Sequence, residues 1–267
     1  VSAAAYRWLQ VERRDGVALL ALNRPEKRNA LSFELLRELA ACAGDLRRDR
    51  TLRAVILHGA GECFSAGIDL DDLNNPRNRW LALWSLLKPG RNLFQRACLV
   101  WKDLPLPVIA AIHGHCYGAG MQLALGADFR IAAPAAKLSI MEARWGLVPD
   151  MGLSRSLRGL LRADVAKELV MTARVLEAGE AANLGLITRV ADDPLQEALR
   201  LAKELAERSP DAVLAAKRVL DAMNDSVRAG LAQEKRWQLR LLRGRNFRIA
   251  RRRAKSPELP FEPRQYD

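Results

Sequence analysis

The sequence predicts an α/β protein, and three observations carry that prediction. Compact apolar runs at Arg53 to Leu57 and Val108 to Ile112 stop at Gly59 and Gly114, as buried parallel strands stop where a loop begins. Around them, apolar residues recur at helical spacing. From Pro194 onward strand signals vanish and only helical patterns remain.

Along the chain, Trp8 to Arg13 and Val17 to Leu22 are β-prone runs around Arg14-Asp15-Gly16, a hairpin signature. Ser32 is a plausible N-cap for a helix on which Leu35, Leu36, Leu39, Ala40, Ala43 and Leu46 share a face, ending near Asp49. Phe129 to Ala133 and Lys137 to Ile140 read as strands, and Ala163 to Met171 as a helix. Leu195 to Arg208 and Ala212 to Met223 read as two more helices, separated by Ser209-Pro210. The stretch Leu73 to Asp103 carries Trp80, Trp84 and Trp101 at helix-like spacing. Core packing or the lining of an apolar ligand site would each explain them.

At 267 residues, 49% hydrophobic and 28% charged, the composition is that of a water-soluble globular chain with a full core. No apolar run approaches the ~20 residues that span a bilayer, and Val1 to Arg14 lacks the apolar stretch of a signal peptide. A cytoplasmic setting is therefore expected, with no membrane partner. Cys42, Cys63, Cys98 and Cys116 lack CxxC spacing and read as reduced core residues. The net charge of +12 is concentrated: Arg228 to Lys255 holds eleven Lys or Arg against the single acid Glu234. Such a segment is either a solvated helix face or a surface for a polyanion.

The strongest local feature is the strand Val108 to Ile112, then His113-Gly-His-Cys-Tyr-Gly-Ala-Gly120, then a helical Met121 to Asp128. Glycines let a ligand approach the backbone, and the first helical turn offers unpaired N–H groups at its positive end. As a dinucleotide fingerprint the order of glycines is wrong. As a nucleophile elbow, Gly114-x-Cys116-x-Gly118 lacks a histidine later in the chain, the only histidines being His58, His113 and His115. A metal site at His113, His115 and Cys116 lacks a second ligand cluster.

Five stretches fall in a familiar order. Asn23-Arg-Pro-Glu-Lys-Arg-Asn-Ala-Leu31 and Cys63-Phe-Ser-Ala-Gly-Ile-Asp-Leu70 are followed by Pro107 to Gly114 with Gly118-Ala-Gly120, by Ala127 to Ala132, and by Ala182 to Val190. Together they resemble the enoyl-CoA hydratase/isomerase (crotonase) superfamily over nearly the whole chain, from Val17 to Tyr266. The resemblance implies a spiral of β-β-α units over residues 1–195. A helical oligomerisation region with a basic tail would follow over 196–267.

It further implies an oxyanion hole made by the backbone N–H groups of Ile68 and Ala119, which hold a thioester enolate. Lys27, Arg28 and Ala30 would flank the adenine and phosphates of coenzyme A, with Ala66, Asp69 and Leu70 along the pantetheine. Of the two glutamates that hydratases carry, the first position here is Gln122, which cannot take a proton, and the second is Glu142. Asp150 stands where hydratases usually have glycine. Dienoyl-CoA isomerases resemble this Glu and Asp arrangement, although they carry a third carboxylate where this chain has Gln122. Arg144 and Arg155 lie near Asp150 in sequence, and a plain ion pair is its other reading.

The resemblance thus implies proton transfer on an unsaturated acyl-CoA, double-bond isomerisation ahead of hydration, with Glu142 as principal acid/base. Non-catalytic acyl-CoA binding and RNA binding through the basic tail are readings of another class. No metal or cofactor is expected beyond the coenzyme A that the substrate carries. The expected assembly is a homotrimer or dimer of trimers, with nucleic acid not an expected partner.

Overall fold

The computed structural model describes residues 6–267, apart from the side chains of residues 79 and 81. The predicted hairpin is present as β1 (Leu9–Arg14) and β2 (Val17–Leu22), turning through Asp15 and Gly16, both at positive φ. Helix α1 (Phe33–Arg48) starts where Ser32 Oγ accepts the Leu35 N–H at 3.2 Å, as the sequence predicts. β3 (Ala54–Gly59) pairs in parallel with β2. Three helices follow, α2 (Leu70–Asn74), α3 (Pro76–Leu87) and α4 (Leu93–Lys102). Then come β4 (Val108–Ile112), β5 (His115–Tyr117), α5 (Ala119–Leu125), β6 (Phe129–Ala132) and β7 (Lys137–Ser139).

After a short 3-10 turn at Glu142–Trp145, the chain forms α6 (Leu153–Ser156), α7 (Ala163–Thr172), β8 (Leu176–Glu177), α8 (Ala178–Asn183) and β9 (Arg189–Val190). The rest is helical: α9 (Pro194–Ala206), α10 (Pro210–Met223), α11 (Val227–Arg243) and α12 (Arg245–Arg253). The larger sheet has the order β1-β2-β3-β4-β6-β9, parallel except for β1. A smaller sheet, β5-β7-β8, is built from the segments that follow β4, β6 and α7.

Strand alternation decides what covers the larger sheet. Val55, Leu57, Val108, Ala110 and Ile112 point to one face and pack with Leu35, Leu36, Leu39 and Leu46 of α1 and Trp101 of α4. Ala54, Ile56, Ile109, Ala111 and Ile131 point to the other and pack on Ala198, Leu201 and Ala202 of α9. Helices α10 and α11 meet over Leu214, Ala215 and Trp237, and Tyr266 stands edge-on to Trp237. Lys217 of α10 reaches the sheet, its buried Nζ 2.7 Å from Asp128 and 3.0 Å from the Leu106 carbonyl. The tryptophans of the 73–103 stretch divide: Trp101 is core, whereas Trp80 and Trp84 face outward, so core packing holds for only one of the three.

Candidate active site

Two loops are laced together at the carboxyl ends of β3 and β4. Phe64 N–H donates to the His113 carbonyl at 2.9 Å, Ser65 N–H to His115 at 3.0 Å, and Tyr117 N–H returns to Ser65 at 3.0 Å. Close approach needs glycine here. A Cβ on Gly120 would lie 2.6 Å from Ser65 Cβ, and one on Gly67, at φ 109°, would lie 3.1 Å from the Tyr117 oxygen and 3.9 Å from the Ala119 nitrogen. Ser65 Oγ donates to Asn29 O at 2.8 Å and accepts the Gly67 N–H at 3.2 Å, which fixes the turn that presents Ile68.

The consequence is a pair of free donors. Among the described residues neither the Ile68 N–H nor the Ala119 N–H meets an acceptor. Ala119 opens α5, where first-turn N–H groups have no intrahelical partner. Both residues predicted for an oxyanion hole are therefore available to an oxygen placed between the loops.

Glu142 lies beside this point, its Oε1 3.5 Å from where a Gly118 Cβ would be. The buried Gln122 of α5 donates through Nε2 to Glu142 Oε1 at 2.7 Å and accepts the Met151 N–H on its own Oε1 at 2.9 Å. Glu142 Oε2 is buried with no hydrogen-bond partner among the described residues. Burial raises Glu142 above the usual glutamate range; hydrogen bonds from its own N–H and from Gln122 oppose that, and the charge of Asp150 adds to it.

Asp150 stands exposed at the rim, with enough protein around its carboxyl that desolvation raises it as well. It makes no ion pair among the described residues, and Arg155 instead holds Asp103 at 2.8 Å. A wall of α4 supports the loop: a Cβ on Gly152 would lie 2.5 Å from Leu99 Cγ. Cys116, at the centre of the elbow-like motif, is wholly buried with Sγ 3.8 Å from Met121 Sδ, and burial pushes its thiol up, so it is no nucleophile. The described residues hold no group of three or more His, Cys, Asp or Glu side chains suited to a metal ion.

Residues 12–251 match the family model for enoyl-CoA hydratase/isomerase. The chain belongs to the enoyl-CoA hydratase/isomerase family. It is 37% identical over 231 residues to the human mitochondrial Delta(3,5)-Delta(2,4)-dienoyl-CoA isomerase, covering 83% of this chain and 70% of that one. It is 34% identical over 245 residues to a Rhizobium meliloti protein named "Probable enoyl-CoA hydratase", covering 89% of each. The crystal structure of an enoyl-CoA hydratase from Bacillus anthracis superposes with a TM-score of 0.88 at 29% identity, over 96% of this chain and 99% of that one. The α/β fold expected from the resemblance is thus the fold observed.

In this family member the positions expected along coenzyme A differ in exposure. Lys27 and Arg28 are exposed on the turn after Pro25, Ala30 and Ala66 are half-buried, and Leu70 is exposed at the start of α2. The Ala66 N–H is spent on the Arg28 carbonyl at 2.9 Å. The side chain of Asp69 is committed elsewhere: it is buried, caps α2 through Asp72 N–H and holds Arg24 at 2.9 Å. Lys27 pairs with Asp71 at 2.9 Å, whereas Arg28 makes no ion pair among the described residues. The sequence reading missed Asn29, Ser65 and the Met151 N–H. Asn29, buried at φ 54°, donates to the Ala60 and Cys63 carbonyls at 2.8 Å and accepts the Arg24 N–H at 2.9 Å. Its place as the last polar residue of the Asn23 to Leu31 motif was the only available signal.

Proposed function

We propose that this family enzyme moves a double bond along an unsaturated acyl-CoA, with Glu142 as principal acid/base and Asp150 as second carboxylate. The observation that carries the reading is the state of Gln122. Both functional ends of its amide are engaged, one on Glu142 and one on Met151 N–H, so it positions Glu142 and supplies no proton. Two-carboxylate hydration lacks its first member.

The chemistry follows from the geometry. A thioester oxygen between Ile68 N–H and Ala119 N–H gains hydrogen bonds as negative charge grows on it, and such donors are each worth about 3 kcal/mol. Glu142, beside Gly118 and next to the Ala119 donor, faces the carbon adjacent to that carbonyl. On a 3,5-dienoyl thioester its free Oε2 takes the C2 proton, the C2–H electron pair passes into a conjugated enolate, and Asp150 returns a proton at C6. The double bonds end at C2 and C4 with no net change in atoms. Raised pKa values suit both tasks, since a more basic carboxylate accepts a proton better and a raised acid keeps one longer.

Coenzyme A would lie along Arg28, Ala30, Ala66 and Leu70, with Lys27 at the phosphate end, and the reaction as drawn calls on no metal or cofactor. The outward leucines of α10 and α11, Leu220, Leu231, Leu239 and Leu242, support a trimer or dimer of trimers assembled through residues 196–267. Four buried, free cysteines fit a cytoplasmic setting. The test offers a 2-enoyl, a 3-enoyl and a 3,5-dienoyl-CoA and follows the conjugated-thioester absorbance. Fastest turnover of the dienoyl substrate supports the reading, and fastest hydration of the 2-enoyl substrate overturns it.

A further inference from the structure

Among the described side chains of helix α3, the half-buried ones are small or polar: Asn78, whose Nδ2 is 2.6 Å from Asp72 Oδ1, together with Ala82 and Ser85. Its outward residues are Trp80, Leu83, Trp84 and Leu87, exposed by 70%, 54%, 54% and 74%. Their spacing of three, four and seven residues puts them on one face of the helix. Leu86 widens the face. An amphipathic helix with its apolar side in water needs a covering.

The charges around that face say what kind. From Leu73 to Lys102 the sequence contains no Asp or Glu, against six Lys or Arg. Arg77, Lys88 and Arg96 are exposed and meet no carboxylate among the described residues, and Lys88 Nζ sits 5.4 Å from the Trp84 ring centroid. A second copy presenting the same face would oppose cation to cation. Tryptophan flanked by lysine and arginine on a leucine-bearing helix is the composition that settles at the boundary between anionic headgroups and acyl chains. No helix among the described residues is long and apolar enough to cross a membrane, but a helix lying in the surface plane needs no such length.

We infer that α3 docks the protein on an anionic lipid surface, its Trp80, Leu83, Trp84 and Leu87 entering the headgroup boundary while Arg77 and Lys88 meet lipid phosphates and carboxylates. The placement bears on the site. Asn75 caps α3 directly after α2, and α2 is capped by Asp69 beside Ile68, so a docked α3 holds the mouth of the candidate site near the lipid.

Flotation of this chain tests this with two vesicle types, phosphatidylcholine alone and phosphatidylcholine with phosphatidylserine. The protein is expected to float with the anionic vesicles, less with the neutral ones, and less again as salt rises. Trp80→Ala/Trp84→Ala is expected to lower the bound fraction about tenfold. Arg77→Glu/Lys88→Glu, which leaves every apolar residue in place, is expected to weaken binding to anionic vesicles alone. No flotation with anionic vesicles, or equal flotation of wild type and both variants, overturns the inference. So does a drop in assembly mass of the tryptophan variant by light scattering, which would show that a second copy covers the face.

Discussion

Gln122 donates a 2.7 Å hydrogen bond to one carboxylate oxygen of Glu142 and leaves the other, Oε2, buried and without a protein partner among the described residues. A buried acceptor left bare is costly, on the order of 1–3 kcal/mol, and such a cost is expected where a substrate proton is to be received. The same bond fixes the carboxylate plane, so the free oxygen has one direction in which to act.

Replacing Glu142 by Gln should therefore lower turnover about 10²- to 10⁴-fold while acyl-CoA affinity changes only a few-fold. Steady-state kinetics and ligand titration read the two separately. Stability should respond with the opposite sign. The folded-state pKa of Glu142 is raised, so wild type loses stability as pH rises through that value, and the melting temperature of the variant relative to wild type should be more favourable near about pH 8 than near about pH 5.

Asp150→Asn removes the acid proposed for C6 and should lower dienoyl turnover about 10²- to 10⁴-fold, and because the charge of Asp150 helps to raise Glu142, the acid limb of the residual kcat/KM profile should move to lower pH. A limb that stays in place or moves upward would separate the two carboxylates.

Gly120→Ala tests the paired donors. Its Cβ would stand 2.6 Å from Ser65 Cβ, and Ser65 carries the turn that presents Ile68. Pushing the loops apart should cost about 10²-fold in kcat, with a stability loss of about 1–3 kcal/mol by denaturant titration. Wild-type kcat in a variant that folds would free the catalysis from this loop spacing.

The helical C-terminal region should give a mass of three or six chains by light scattering at micromolar concentration. Leu220, Met223, Leu231, Leu239 and Leu242 are left outward in the single chain. A monomer at that concentration would contradict the assembly.

Much of this arrangement was legible in the sequence because it is local. The Ser32 cap and the strands that end at Gly59 and Gly114 follow from short-range spacing, whereas Gln122 and Glu142 were found through the family resemblance. What was hidden depends on contacts between distant segments. Arg155 lies five residues from Asp150 yet chooses Asp103, because α6 packs against the end of α4. Trp80 and Trp84 have the spacing of a core stripe, and spacing alone does not say which side of a helix meets protein. Asn29 and Ser65 gain their importance only when the loop after β2 meets the loop after β3.

In the proposed mechanism Gln122 is a positioning group and not a proton donor, and one comparison tests that role. The ratio of 3,5-dienoyl-CoA isomerisation to 2-enoyl-CoA hydration is measured for wild type and for Gln122→Glu. Wild type should favour isomerisation. The variant sets a second carboxyl within hydrogen-bonding distance of Glu142, the pair retains a proton to higher pH, and hydration should rise about ten- to a hundredfold. Wild type that hydrates the 2-enoyl thioester faster than it isomerises the dienoyl one, with no gain from Gln122→Glu, would contradict the account and leave Glu142 managing the water alone.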